Sequence, residues 1–82
     1  MRDVRIHFAP DVVRWVRERQ HYAYVGEHAG SGAGIVMHYQ LQDLAEIKPW
    51  LLSWGAAAEP LAPDELRAMV RDEAHKLLEI LT

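Results

Sequence analysis

The chain contains no cysteine, which excludes disulfides, thiolate metal sites and cysteine nucleophiles at once. That absence fits a reducing cytoplasm. No apolar run approaches the roughly 20 residues that a membrane helix needs, and the N-terminus lacks the apolar stretch of a signal peptide. The expectation is a soluble, cytoplasmic chain with no membrane partner. An excess of positive charge is lacking too: nine Lys and Arg stand against twelve Asp and Glu, a formal net charge of −3. Nucleic-acid backbones are gripped by clustered positive charge, so this domain is not expected to hold DNA by itself. Arg14, Arg17 and Arg19 form a local exception, read as a solvated helix face.

Eighty-two residues, half of them apolar, make one domain spanning 1–82. A chain of this size buries roughly 60–65% of its unfolded surface and folds alone with a small margin. Val4, Ile6 and Phe8 alternate with Arg5 and His7, the period of a strand with one buried face. Pro10 and Asp11 suit a first helical turn, so a short helix is expected over Pro10 to Arg19. His21 to His28, with Tyr22, Tyr24 and Val25, reads as a second strand. Ala29 to Gly34 carries three glycines in five residues and reads as a hairpin loop. A phosphate cradle is the weaker alternative, because such a loop should open a helix and here a strand follows.

Ile35, Met37, Tyr39 and Leu41 alternate with Val36, His38 and Gln40 in a third strand. Asp43 can cap a helix, with Glu46 in capping-box spacing. Leu44, Ile47, Leu51 and Trp54 keep helical spacing, and Gly55 suits a left-handed terminator. Pro49 interrupts the pattern, so a kink or fresh start is expected near Lys48-Pro49, with the firm helix over Pro49 to Trp54. Ala56 to Pro60 reads as a fourth strand at a sheet edge. From Asp64 to the end of the chain, Leu66, Met69, Val70, Leu77, Ile80 and Leu81 form one apolar stripe of a last helix. The order is β-α-β-β-α-β plus a C-terminal helix. The expected fold is an α+β, ferredoxin-like sandwich, with a four-stranded antiparallel sheet and two helices on one face.

No residue pattern carries catalysis. Ser31 and Ser53 lack a nucleophile elbow, and Glu27, Asp43 and Glu59 fall at expected element ends, where capping or solvation accounts for them. His7 and His38 share a strand parity pointing away from the helices, His21 and His28 flank the second strand, and His75 lies on the last helix. A metal site needs three or four converging ligands, and no spacing here sets them, so no metal and no cofactor is expected. Trp50 and Trp54, one helical turn apart, are assigned to the core or its margin. Trp15 stands as either an interface anchor or a peripheral core residue, and Arg14 lies on its side of the helix.

Val4 to Pro10 followed by Val16-Arg17-Glu18-Arg19, then Trp50-Leu51-Leu52-Ser53-Trp54-Gly55, then Glu59 to Arg67 leading into an amphipathic helix, resembles the C-terminal extension of WYL-domain transcriptional regulators, the WCX domain. The resemblance spans about Val4 to Leu81. Trp15, the Lys48-Pro49 pair and the soft glycine loop depart from its pattern. It implies a fragment of a larger bacterial regulator, whose winged-helix and WYL domains lie outside this sequence. DNA contact is then made only through the parent's N-terminal domain. It also implies a part in homodimer formation and effector response.

The most informative surface is the open face of the sheet, where parity places Arg5, His7, Val36, His38 and Gln40. Val4, Ile6, Phe8, Met37 and Tyr39 face the helices. A partner chain, the parent's WYL domain or part of the last helix could cover that open face, and an effector is expected there. Trp15, Arg14, Met69, Leu77 and Leu81 are the candidate interface. A free-standing sensor of a small molecule is the alternative function.

Overall fold

A computed structural model describes residues 1–82. The alternation in the first strand decides the layering. In β1 (Arg2–Phe8), Val4, Ile6 and Phe8 are completely buried, while Asp3, Arg5 and His7 lie on the opposite face. β1 pairs antiparallel with β3 (Ile35–Leu41) and with β4 (Ala58–Ala62), and β3 pairs antiparallel with β2 (Tyr24–Ala29). The order across the sheet is β2-β3-β1-β4. The protein is therefore α+β, and this order is compatible with the expected ferredoxin-like arrangement. β4 lies at an edge, where Pro60 leaves no central ladder position without a donor.

Helix α1 (Val13–Glu18) is shorter than Pro10 to Arg19. Pro10 to Val12 form a turn instead, and Val13 and Val16 point inward. β2 begins at Tyr24 rather than His21. His21 is buried, and its Nδ1 accepts the Ala23 N–H at 3.0 Å, which turns the chain before the strand.

The segment around Pro49 restarts as expected. A 3₁₀ turn over Leu44–Glu46 ends before α2 (Lys48–Leu52), which carries Pro49 in its first turn, where the missing N–H has no partner to lose. Asp43 accepts the Ala45 N–H at 3.0 Å. The reciprocal half of the capping box does not form, because the Glu46 carboxylate accepts the Tyr22 hydroxyl instead. α2 ends at Leu52, short of Trp54, and a second 3₁₀ turn starts at Gly55, whose φ is +60°.

The last helix, α3 (Asp64–Leu81), packs on the same side as α1 and α2. Leu66 is completely buried within the cluster formed by Val4, Ile6, Phe8, Val16, Met37, Tyr39, Ile47 and Leu51. Lys48 pairs with Glu73 at 3.1 Å, and Arg2 with Glu65 at 2.7 Å. The expectation that this helix could cover part of the open sheet face is therefore corrected. Its apolar stripe is used on the core side as far as Val70, and beyond Glu73 every residue is exposed.

Trp50 and Trp54 pack at the margin of this cluster, edge-on to Phe8 at 6.0 and 6.4 Å. The indole N–H of Trp50 donates to the Arg19 carbonyl at 3.0 Å and fastens α2 to the end of α1. Tyr39 is completely buried, and its hydroxyl donates to Gln20 Oε1 at 2.8 Å. Burial holds that hydroxyl far above the usual phenol range.

Candidate functional site

The strand register sets the open face in rows. His28, Val36, His7 and Glu59 lie side by side across all four strands, one residue from each. In the next row Arg5 faces His38, and in the third Asp3 faces Gln40. Four of the five expected face residues lie in these rows with polar groups available. Val36 occupies the expected face but is only 5% exposed, so it is a floor residue rather than a contact surface.

The glycine loop explains that burial. Ala29 to Gly34 folds back over the first row, closed by the Gly30 N–H donating to the Gly34 carbonyl at 2.9 Å. A Cβ added at Gly30 would stand 2.7 Å from the His7 ring and 3.2 Å from Val36. One at Gly34 would stand 2.3 Å from the ring and 2.8 Å from the Phe8 carbonyl. Both glycines are therefore needed where backbone and imidazole meet. His7 Nε2 lies 3.4 Å from the Ser31 carbonyl. A strand, not a helix, follows the loop, so the phosphate-cradle geometry is absent.

Each outer strand carries a bulge, and the extra residue of each is an exposed apolar side chain. The β2–β3 register shifts between Tyr24 and Gly26, leaving Val25 57% exposed. The β1–β4 register shifts where Arg5 faces Ala62 and Ile6 faces Pro60, leaving Leu61 exposed. Two concavities result. One, of about 550 Å³, includes His7, His28, Ser31, Val36, Glu59 and Leu61 in its wall. The other, of about 350 Å³, lies against Asp3, Arg5, Val25, His38 and Gln40.

An imidazole pair joins the two concavities. His28 Nδ1 and His38 Nε2 are 2.8 Å apart, one ring nitrogen donating to the other. Burial, then the neighbouring His28 and Arg5, hold the His38 imidazole below its usual range, with Asp3 opposing them. No group of three or more His, Asp or Glu side chains converges to hold a metal ion.

Two of the three clustered arginines, Arg17 and Arg14, are paired within the domain. Arg17 bonds Glu27, which also accepts the Tyr24 hydroxyl at 2.8 Å. The Arg17 hydrogen bond holds the Glu27 carboxyl below the usual range against a smaller opposing effect of burial. Glu27 is therefore an ion-pair residue within β2 and not a solvated strand end. Glu59 likewise stands inside β4 on the open face. Arg14 reaches Glu18 at 4.0 Å and lies over the Trp15 ring at 5.0 Å. Trp15 is 47% exposed, outside the core cluster.

Of the expected interface residues, Met69 packs against the core, whereas Leu77 and Leu81 are exposed, together with Leu78 and Ile80. These lie at the opposite end of the chain from Trp15. Sequence reasoning did not single out Asp3, Val25 or Leu61. Asp3 shares the parity of Arg5, and Leu61 that of Glu59, so both were legible on that ground; Val25 is placed only by its position after the inward-packed Tyr24. His28 was placed beside the second strand, and its partnership with His38 follows only once the hairpin register is known.

Comparison with curated proteins and with solved structures gave no significant match. No helix is long and apolar enough to cross a membrane. A family model for the WCX domain, the regulatory C-terminal part of WYL-type regulators, matches residues 2–78. The chain belongs to the WCX domain family.

Proposed function

We propose that this chain is a non-enzymatic module of a bacterial WYL-type helix-turn-helix transcriptional regulator, one that pairs subunits and passes an effector signal to the DNA-binding part. The observation that carries the proposal is the sheet face left uncovered by all three helices. It bears Arg5, His7, His38 and Gln40 around two concavities. Side chains so arranged suit reversible contact with a small molecule or with the parent's WYL domain. Trp15, with Arg14 above it, and the apolar end of α3 at Leu77 and Leu81 supply two further exposed patches for pairing two copies. DNA is reached only through the parent's N-terminal winged-helix domain, in the cytoplasm.

A ligand that favours one arrangement of domains shifts an existing equilibrium by its difference in affinity for the two states. Deleting this domain from a parent regulator is expected to abolish effector-dependent change in promoter binding and to weaken dimerisation. A deletion variant that keeps both would overturn the proposal.

A second reading is a free-standing small-molecule sensor, in which one of the two concavities takes the ligand without a parent chain. The isolated domain would then account for the whole response, and a parent chain would add nothing to its affinity.

A further inference from the structure

The smaller concavity holds two opposite charges with no partner of their own. Asp3 and Arg5 lie on the same face of β1, two residues apart, which separates their backbones by about 6.6–6.8 Å. The ion pairs of the protein join Arg2 to Glu65, Arg14 to Glu18, Arg17 to Glu27, Lys48 to Glu73 and Lys76 to Asp72. Neither Asp3 nor Arg5 is among them. Gln40 stands opposite Asp3, and His38 opposite Arg5. The His38 ring is held at Nε2 by His28, which fixes it as a wall. On the remaining side the β2 bulge presents Val25, an exposed apolar side chain.

A guanidinium, a carboxylate, a primary amide and one apolar wall around about 350 Å³ form a complementary set. We propose that this concavity binds a small zwitterion of the amino-acid type with a short apolar side chain. Its carboxylate takes the paired N–H donors of Arg5, a planar fork suited to that group. Its ammonium donates to the Asp3 carboxylate and the Gln40 side-chain oxygen. Its apolar side chain rests against Val25. A simple anion would satisfy Arg5 and meet repulsion from Asp3; a simple amine would meet the reverse. Only a dipolar molecule answers both charges. This deepens the effector reading of the open face and rests on it for its biological meaning, while the binding itself can be tested apart from that reading.

The test uses the untagged chain and isothermal titration with the proteinogenic L-amino acids one at a time. Leucine is compared with 4-methylpentanoate, which lacks the ammonium, and with 3-methylbutylamine, which lacks the carboxylate. Binding of at least one apolar amino acid is expected, at least about tenfold tighter than its two truncated counterparts. Arg5→Gln and Asp3→Asn should each lose about tenfold or more, while Arg71→Gln, an exposed site on α3, binds as the unsubstituted chain does. Thermal melting of each variant checks that the fold is kept. Equal binding of the plain carboxylate, binding unchanged in both variants, or no binding by any amino acid overturns the proposal. Binding as described, with a parent regulator indifferent to the same amino acid, would leave the site standing and remove the regulatory reading.

Discussion

Replacing Gly30 by alanine tests whether the glycine loop is shaped by His7. The added methyl would lie 2.7 Å from the His7 Cδ2 atom, 3.1 Å from its Nε2 and 3.2 Å from Val36. All three are side-chain atoms, and Gly30 is not among the glycines with positive φ, so no backbone preference opposes alanine. Forcing a methyl group into such a packed contact costs about 1–3 kcal/mol. In a domain of this size that lowers the midpoint of thermal unfolding by about 4–8 °C for each kcal/mol. In a His7→Ala background the nearest two contacts vanish. What remains is the contact with Val36, offset by the reduced freedom of the unfolded chain, worth about 0.4–1 kcal/mol in favour of alanine. The Gly30→Ala cost should therefore fall nearly to zero there, leaving a coupling of about 1–3 kcal/mol in a double-mutant cycle measured by urea unfolding. Gly34→Ala is the internal control. Its methyl also meets the Phe8 carbonyl at 2.8 Å, which His7→Ala cannot relieve, so it stays costly in both backgrounds. Equal Gly30→Ala costs with and without the imidazole would refute the packing reasoning.

Leu66→Ala, at a completely buried site, should cost about 2–5 kcal/mol, whereas Leu78→Ala on the free end of α3 should change the stability of the unassociated chain by no more than about 0.5 kcal/mol; chemical denaturation at low protein concentration separates the two. Trp50→Phe removes the N–H that bonds the Arg19 carbonyl and should cost about 0.5–1.5 kcal/mol for that bond, plus the packing lost with the smaller ring. The Glu27 carboxyl is held below its ordinary value of 4.5 by Arg17. A depressed folded-state value gives stability that is present above the unfolded value and is lost as pH falls from about 4.5 through the folded value. Melting temperatures recorded through that range should therefore fall more steeply for the native chain than for Glu27→Gln.

The layers of the fold were legible because one face of each central strand is strictly apolar. Val4, Ile6 and Phe8 in β1, and Met37 and Tyr39 in β3, all reach the core as their parity requires. A one-residue slip would turn every one of them outward. Leu66, Met69 and Val70 were legible as the inner stripe of α3, but sequence period alone continued that stripe to Leu81. The helix outruns the sheet and α2 beneath it, so its last turns have nothing in this chain to pack on. Element ends were less clear where side chains compete locally for backbone groups. His21 takes the Ala23 N–H and delays β2, and Glu46 turns to Tyr22 rather than closing a capping box.

The candidate site was half legible. Parity found Arg5, His7, His38 and Gln40, since they alternate with the core residues. It did not single out Val25 or Leu61, although Val25 follows the inward-packed Tyr24 and Leu61 lies two residues from Glu59; the bulges reverse the count only beyond them, at Gly26 and Ala62. Nor could it show Val36 covered, because the cover comes from the backbone of a loop. The glycines marked a loop; only the close approach to His7 explains why Gly30 and Gly34 lack side chains.

Pairing of two copies is the part of the proposed function that the fewest steps can reach. The solution mass of the chain, measured by light scattering behind a sizing column over a range of concentrations, reads it directly. A dimer is expected, reverting toward monomer in Trp15→Ala or in a chain carrying Leu77→Glu and Leu81→Glu, with the melting of the monomer unchanged. A monomer at every concentration would contradict self-association and leave Trp15 and the end of α3 to the parent's WYL domain.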